Sequence, residues 1–214
     1  MERNQTGNAR HKIIKPERIS REELRFTPVT KDAWEEFQAL FAESGVQNGC
    51  WCMYWRVARN EFQRHYGEGN RQAIQAVVAS GRTPGILAML NGHPVGWCSV
   101  APREEFPVLD RSSTLKRVDD QPVWSIVCFF VSKPYRRMGI IKALIEAAIA
   151  HARDNGAHIV EAYPLTPESN YPLYERYLGF SPLFAELGFK EVARRSERKA
   201  VMRYFIQNGP PKEG

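Results

Sequence analysis

The sequence predicts an α/β fold of the α+β kind, a mixed central sheet flanked by helices, and three observations carry that expectation. The first is the run Trp124-Ser125-Ile126-Val127-Cys128-Phe129-Phe130-Val131, eight residues with one polar member. Its β-branched and aromatic content fits a strand covered on both faces. The second is the periodicity that follows. Apolar residues recur at Ile140, Ile141, Leu144, Ile145, Ala148, Ile149 and Ala152, the spacing of an amphipathic helix, and Gly156 after Asp154-Asn155 supplies a stop. The third is Asn91-Gly92 between the apolar runs Ile86–Leu90 and Val95–Val100, the strongest short-range signal for a β-hairpin.

Composition bounds the rest. A chain of 214 residues with 43% hydrophobic and 11% aromatic content is long enough to bury a substantial core. We expect a polar arm over residues 1 to 22, one domain over 23 to 207 and a short tail over 208 to 214. No apolar run approaches the roughly 20 residues of a membrane span. Met1-Glu2-Arg3-Asn4-Gln5 lacks the apolar core of a secretory signal, so a cytoplasmic protein is expected. The net charge of +6 permits nucleic-acid contact and equally suits attraction of a polyanionic small ligand. With the basic residues dispersed and no basic helix or aromatic-basic strand motif, nucleic acid is not the expected partner. Cys50, Cys52, Cys98 and Cys128 read as reduced, buried thiols. Cys50-Trp51-Cys52 lacks a second Cys or His pair at zinc spacing, so no metal is expected.

Taken in order, Leu24–Val29 reads as an edge strand, and Thr30 caps a helix presenting Trp34, Phe37, Leu40 and Phe41 and ending near Ser44-Gly45. The stretch from Asn48 to Arg56 is the most aromatic in the chain. It reads either as core side chains under a loop or as one wall of a ligand pocket, with Arg56 in an ion pair or facing an acidic ligand group. Residues 70 to 80 form a short helix closed by Gly81, and the hairpin follows. Ala101 to Pro122 is a charged loop whose Glu104, Glu105, Asp119 and Asp120 read as solvated. His158–Tyr163, ended by Pro164, is a further strand, parallel to the Trp124 strand through a right-handed crossover. Leu183 to Val192 continues into a last helix, a Gly188-Phe189 turn and a terminal strand pair ending near Ile206.

The turn between the Trp124 strand and its helix, Tyr135-Arg136-Arg137-Met138-Gly139-Ile140-Ile141-Lys142, points to an anion. A helix N-terminus offers unpaired N–H groups and the positive end of the macrodipole to a phosphate. Arg136, Arg137 and Lys142 add charge, and Gly139 removes a side chain where a ligand approaches the backbone.

In this context Arg136-x-x-Gly139 resembles the pyrophosphate loop of the GNAT acetyltransferase superfamily, whose pattern is Gln/Arg-x-x-Gly-x-Gly/Ala; Ile141 stands where the second Gly/Ala is usual. The hairpin with Pro94-Val95-Gly96-Trp97 and the late Gly-Phe turn extend the resemblance over about residues 85 to 206, with a weaker match from 24 to 80. It implies a sheet of six to seven mostly antiparallel strands with splayed parallel central strands, and acetyl-CoA as cosubstrate. It also implies backbone contacts to the cofactor from Phe129, Phe130 and Val131, and phosphate contacts from Arg136, Arg137, Met138, Gly139, Ile140, Ile141 and Lys142. The acetyl group would pass directly to a small-molecule or peptide amine acceptor in a ternary complex, and a homodimer is compatible with it. The family often places a tyrosine acid where this chain has Phe184. Tyr174 and Tyr177 are the nearby substitutes, Tyr177 being the assigned acid, and Glu161 is the candidate base, with a strand-end ion pair as its other reading. A second functional reading is a module of the same fold that binds acyl-CoA without turnover.

Overall fold

The computed structural model describes residues 19–43, 49–167, 171 and 175–206. The arm through residue 18, the expected helix end at Ser44-Gly45, Tyr174 and the tail from 208 lie outside the described residues. Seven strands, β1 (Leu24–Pro28), β2 (Gly85–Leu90), β3 (His93–Pro102), β4 (Trp124–Val131), β5 (Ile159–Ala162), β6 (Lys190–Ala193) and β7 (Val201–Phe205), form one mixed sheet in the order β1-β2-β3-β4-β5-β7-β6. Every pairing is antiparallel except β4 with β5. The hairpin forms where Asn91-Gly92 predicts it, both residues adopting positive φ (50° and 79°), the geometry of a type I′ turn.

Helix α1 (Trp34–Glu43) and helix α3 (Glu68–Ala79) cover one face of the sheet. Phe37, Leu40, Ile74, Val77 and Val78 pack there on Leu87, Trp97 and Phe130. Between them lies a helix the periodicity did not predict, α2 (Arg59–Arg64), too short and polar to carry a hydrophobic stripe. The opposite face is covered by α5 (Ile140–Asp154), whose Ile140, Ala143, Leu144, Ala147 and Ala148 meet Ile86, Val95, Ile126 and Phe129. Thr30 does precede the first helical turn, but its side chain makes no capping bond. A short helix α4 (Pro107–Arg111) interrupts the charged loop, and α6 (Ser181–Glu186) precedes the Gly188 turn.

That loop is tied down by charge. Arg103 and Arg203, both almost fully buried, grip Glu161, which is 1% exposed. Arg103 Nη1 donates to Glu161 Oε1 at 2.8 Å, and Arg203 Nε to Oε2 at 2.7 Å. The Tyr163 hydroxyl donates to Oε1 at 2.7 Å, and burial first, then Glu161, push that hydroxyl well above its ordinary pKa, so it stays a donor. Asp110 accepts from Arg103 at 2.8 Å and Asp119 from Arg203 at 2.7 and 3.0 Å. Asp119 is therefore an ion-pair partner, not a solvated acid. So is Glu105, which pairs with Arg56.

Removing one partner of a buried charge network leaves the others uncompensated. Glu161→Ala is accordingly expected to lower stability by about 3–5 kcal/mol, read as the shift in urea midpoint at unchanged slope; a loss below about 1 kcal/mol would contradict the assignment.

Candidate active site

The parallel pairing of β4 with β5 lasts for three residues, Trp124↔Val160, Ser125↔Glu161 and Ile126↔Ala162. Beyond Ala162 the chain turns away at Tyr163-Pro164. From Val127 to Val131, which include Phe129 and Phe130, no strand among the described residues pairs with β4 on its β5 side, while its other edge stays paired with β3. A strand edge is thus left beside a cleft, open to an extended ligand. Where the strands part, β4 carries a bulge: Ser99 opposes Cys128 and Val100 opposes Ile126, so Val127 has no partner across the ladder. An extra residue turns two consecutive side chains toward one face, and Val127 and Cys128 both line the same cavity.

The C-terminal end of β4 runs through the 3-10 turn Lys133–Tyr135 into the basic loop. Arg137 and Gly139 adopt left-handed φ, 66° and 80°. A Cβ built on Gly139 would meet nothing within 4 Å, so this glycine serves the backbone conformation and leaves open space above the loop. Ala143 N–H is bonded to Gly139 C=O; the N–H groups of Ile140, Ile141 and Lys142 thus belong to the unpaired first turn of α5. Arg136 Nε donates to Val131 C=O at 3.1 Å and ties the loop to the strand end. Arg136 and Arg137 are exposed and Met138 is half-buried. Lys142 is engaged by Glu186 of α6, so its charge is partly spent within the protein. Ile141, the bulky departure from the loop pattern, is half-buried against the main core, which directs its side chain inward.

On the other face of β4 lies a cavity of about 570 Å³. Its floor is Val127 and Cys128, with Cys50 and Cys52 beside them. Tyr54, Trp55, Phe62 and Tyr66 make one wall, and Glu175, Tyr177, Leu178 and Lys199 the other. Tyr177 sits on a 3-10 turn, Arg176–Leu178, that packs on β4. Burial first, then the Cys128 sulfur, push its hydroxyl above the ordinary tyrosine value, with Arg136 opposing. Cys128 Sγ lies 3.8 Å from Cys52 Sγ, and the Trp97 indole N–H donates to Cys52 at 3.0 Å. The hydrogen bond between Cys52 and Cys128, and the one from Trp97, hold the Cys52 thiol below its ordinary value. The bond to Cys52, together with burial, pushes Cys128 well above its own, and burial raises Cys50 to about 12.

The sequence-predicted residues therefore divide. Tyr177 comes to the cavity and the basic loop to the cleft mouth. Glu161 stays in the arginine network and is not among the residues lining the cavity, the ion-pair arrangement its strand position also allowed. Arg56 is buried by its pair with Glu105, a bond to Pro84 C=O at 3.0 Å and the Phe106 ring 4.5 Å beneath it; it faces no ligand group. Phe184 is fully buried between Phe129 and Phe189, ring centroids 6.1 and 5.1 Å away. Phe62, Tyr66, Glu175 and Lys199 escaped the sequence reading. The Phe62 and Tyr66 rings, four apart in an otherwise polar stretch, were the one available signal.

A splayed parallel pair, a bulged central strand and a basic loop at a helix N-terminus define an acyl-CoA-dependent transferase. The model of the acetyltransferase (GNAT) family matches residues 29–180, and the chain belongs to this family: it is an N-acetyltransferase that uses acetyl-CoA. No curated protein matches the sequence significantly. Among solved structures, a GNAT-family acetyltransferase from Listeria monocytogenes superposes with a TM-score of 0.53 at 10% identity, covering 86% of this chain and 95% of that one. A histone acetyltransferase HPA2 and related acetyltransferase from Corynebacterium glutamicum gives 0.51 at 15% identity over 88% and 99%. A GNAT-family acetyltransferase from Streptococcus agalactiae gives 0.51 at 11% over 86% and 96%. At these identities the likeness is one of fold. No helix among the described residues is long and apolar enough to cross a membrane.

Restoring a tyrosine at Phe184 tests whether that position holds catalytic potential. Phe184→Tyr is expected to bury an unpaired hydroxyl at a cost of about 1–3 kcal/mol, seen as a lowered melting temperature, with no gain in thiol release from acetyl-CoA.

Proposed function

We propose that the chain transfers the acetyl group directly from acetyl-CoA to an amine held in the cavity, with Tyr177 as the proton donor. The observation that carries this reading is that the cavity and the open edge of β4 meet at the bulge, with Tyr177 and Cys128 both lining the cavity there. An amine in the cavity and a thioester along the strand edge would then face one another without either leaving its site.

The residues present fit the cosubstrate. Backbone groups of Phe129, Phe130 and Val131 would bond its extended arm. The N–H groups at Met138, Gly139, Ile140, Ile141 and Lys142, with the charges of Arg136 and Arg137, would hold its pyrophosphate. When bound, acetyl-CoA supplies an electrophilic carbonyl carbon on a sulfur leaving group. The amine nitrogen forms the new N–C bond as the C–S bond breaks, and the products are an amide and free thiol. Tyr177, kept protonated by its surroundings, gives its proton to the departing sulfur, and the surplus proton on nitrogen returns to the phenolate through solvent. A covalent relay through Cys128 or Cys50 fits poorly, because both are held as thiols and, among the described residues, no basic side chain bonds to Cys128. Glu161 acts in this reading as a structural anchor, since both of its carboxylate oxygens are already engaged.

Two measurements test this. Isothermal titration of acetyl-CoA is expected to show affinity reduced at least about tenfold in Arg136→Glu, one charge-assisted phosphate contact being worth about 1.5–3 kcal/mol; equal affinity would sink the loop assignment. Tyr177→Phe is expected to lower kcat about 10²-fold or more with the Kd of acetyl-CoA unchanged. Initial rates at varied concentrations of both substrates should give intersecting lines, and parallel lines would point to a covalent relay instead.

A further inference from the structure

The aromatic wall of the cavity is not used by the reaction just described. Between Arg59 and Gly69 the apolar aromatic residues are Phe62 and Tyr66. A spacing of four places both rings on one side of α2 and the turn that follows. With Tyr54 and Trp55 they form an edge-to-face series: Trp55 to Tyr54 at 5.0 Å, Tyr54 to Phe62 at 5.5 Å, and Phe62 to Tyr66 at 5.7 Å, with interplanar angles of 83–84°. Tyr54 and Tyr66 remain 39% and 53% exposed. Rings packed edge to face offer their neighbours' faces to a further flat group, and ring area left in water at a cavity mouth is area a ligand gains by covering.

The polar groups are few and one-sided. The Glu175 side chain is 14% exposed. Its Oε1 accepts from Arg198 Nη2 at 3.2 Å. Its Oε2 is buried and pairs with Lys199 Nζ at 3.4 Å, so this carboxylate is shared between two cations of the protein. Arg59 and Lys199 are the cations of the lining. With Glu175 shared by Lys199 and Arg198, the lining is net positive and disfavours a ligand that carries several positive charges. The remaining walls, Val127, Leu178, Cys50 and Cys128, offer little to peptide amides, whose burial without partners is costly.

We infer that the acceptor is an amine with one basic group and a flat aromatic body, its ring against Tyr54, Trp55, Phe62 and Tyr66. The inference rests on the acetyl-transfer reading of the cavity. The amine loses its ammonium proton to solvent, and the neutral nitrogen then reacts as described above.

The test measures thiol release from acetyl-CoA by the full chain with three probe amines: 2-phenylethylamine, spermidine and a tetrapeptide with a free N-terminus. We expect kcat/KM for 2-phenylethylamine to exceed both others at least about tenfold, the selectivity of one well-filled apolar contact. Tyr66→Ala and Phe62→Ala should each raise KM for 2-phenylethylamine about tenfold with kcat changed less than KM. Acetyl-CoA affinity by calorimetry and the melting temperature serve as folding controls. Equal or better use of spermidine or the peptide, no turnover of any probe by protein that binds acetyl-CoA, or an unchanged KM in both variants would overturn the inference and leave the cofactor assignment standing. Failure of the wild type to bind acetyl-CoA would overturn both.

Discussion

The site depends on a parallel strand pair that stops early. β4 and β5 are in register at Trp124, Ser125 and Ile126 only, yet β4 continues to Val131 with its other edge bonded to β3. Backbone polar groups in a protein interior need partners, so an edge opened in the middle of a sheet is tolerated only where solvent or a ligand supplies them. What holds the strands together below the opening is charge. Glu161 and Tyr163, at the end of β5, are clamped by Arg103 from the loop after β3 and, for Glu161, by Arg203 from β7. The clamp lies at the end of β5, and the Tyr163 hydroxyl ties it to β4 through Ser125 Oγ at 2.8 Å.

This explains why Glu161, a carboxylate on the strand beside the cleft, is not free to act as a base. A buried carboxylate without partners would be driven to its neutral form; here three donors hold its two oxygens, and the energy of that arrangement goes into the shape of the sheet. In the proposed reading the proton donor is Tyr177 on a short turn, where burial first and then the Cys128 sulfur raise its hydroxyl. The bond to Cys52, then burial, raise Cys128, and burial raises Cys50.

The two ligand regions use opposite devices. The cleft mouth offers backbone geometry, an exposed left-handed Arg137-x-Gly139 turn and the unpaired first turn of α5. Ile141 can depart from the family pattern because its bulk turns into the core. The cavity, by contrast, is made of side chains from four separate segments, and its character changes with each of them.

Much of the fold was legible in the sequence because its signals are local. The buried run of β4, the 3.6-residue period of α5, the Asn91-Gly92 turn and the Arg136-x-x-Gly139 loop each report on neighbours within about a dozen residues. From them the mixed sheet, the acetyltransferase family and acetyl-CoA followed. The tertiary structure alone decided the rest, because it depends on which distant side chains meet. Asp119 and Glu105 look solvated in sequence and become ion-pair partners only when Arg203 and Arg56 arrive from other segments. Phe62 and Tyr66 lie in a polar stretch with no readable period, and they line the cavity because α2 is set beside the aromatic turn. Tyr177 acquires its environment from Cys128, 49 positions earlier in the chain. Local spacing determines elements and a phosphate-binding turn, whereas burial and electrostatics, which set the chemistry of a side chain, exist only after the chain has folded.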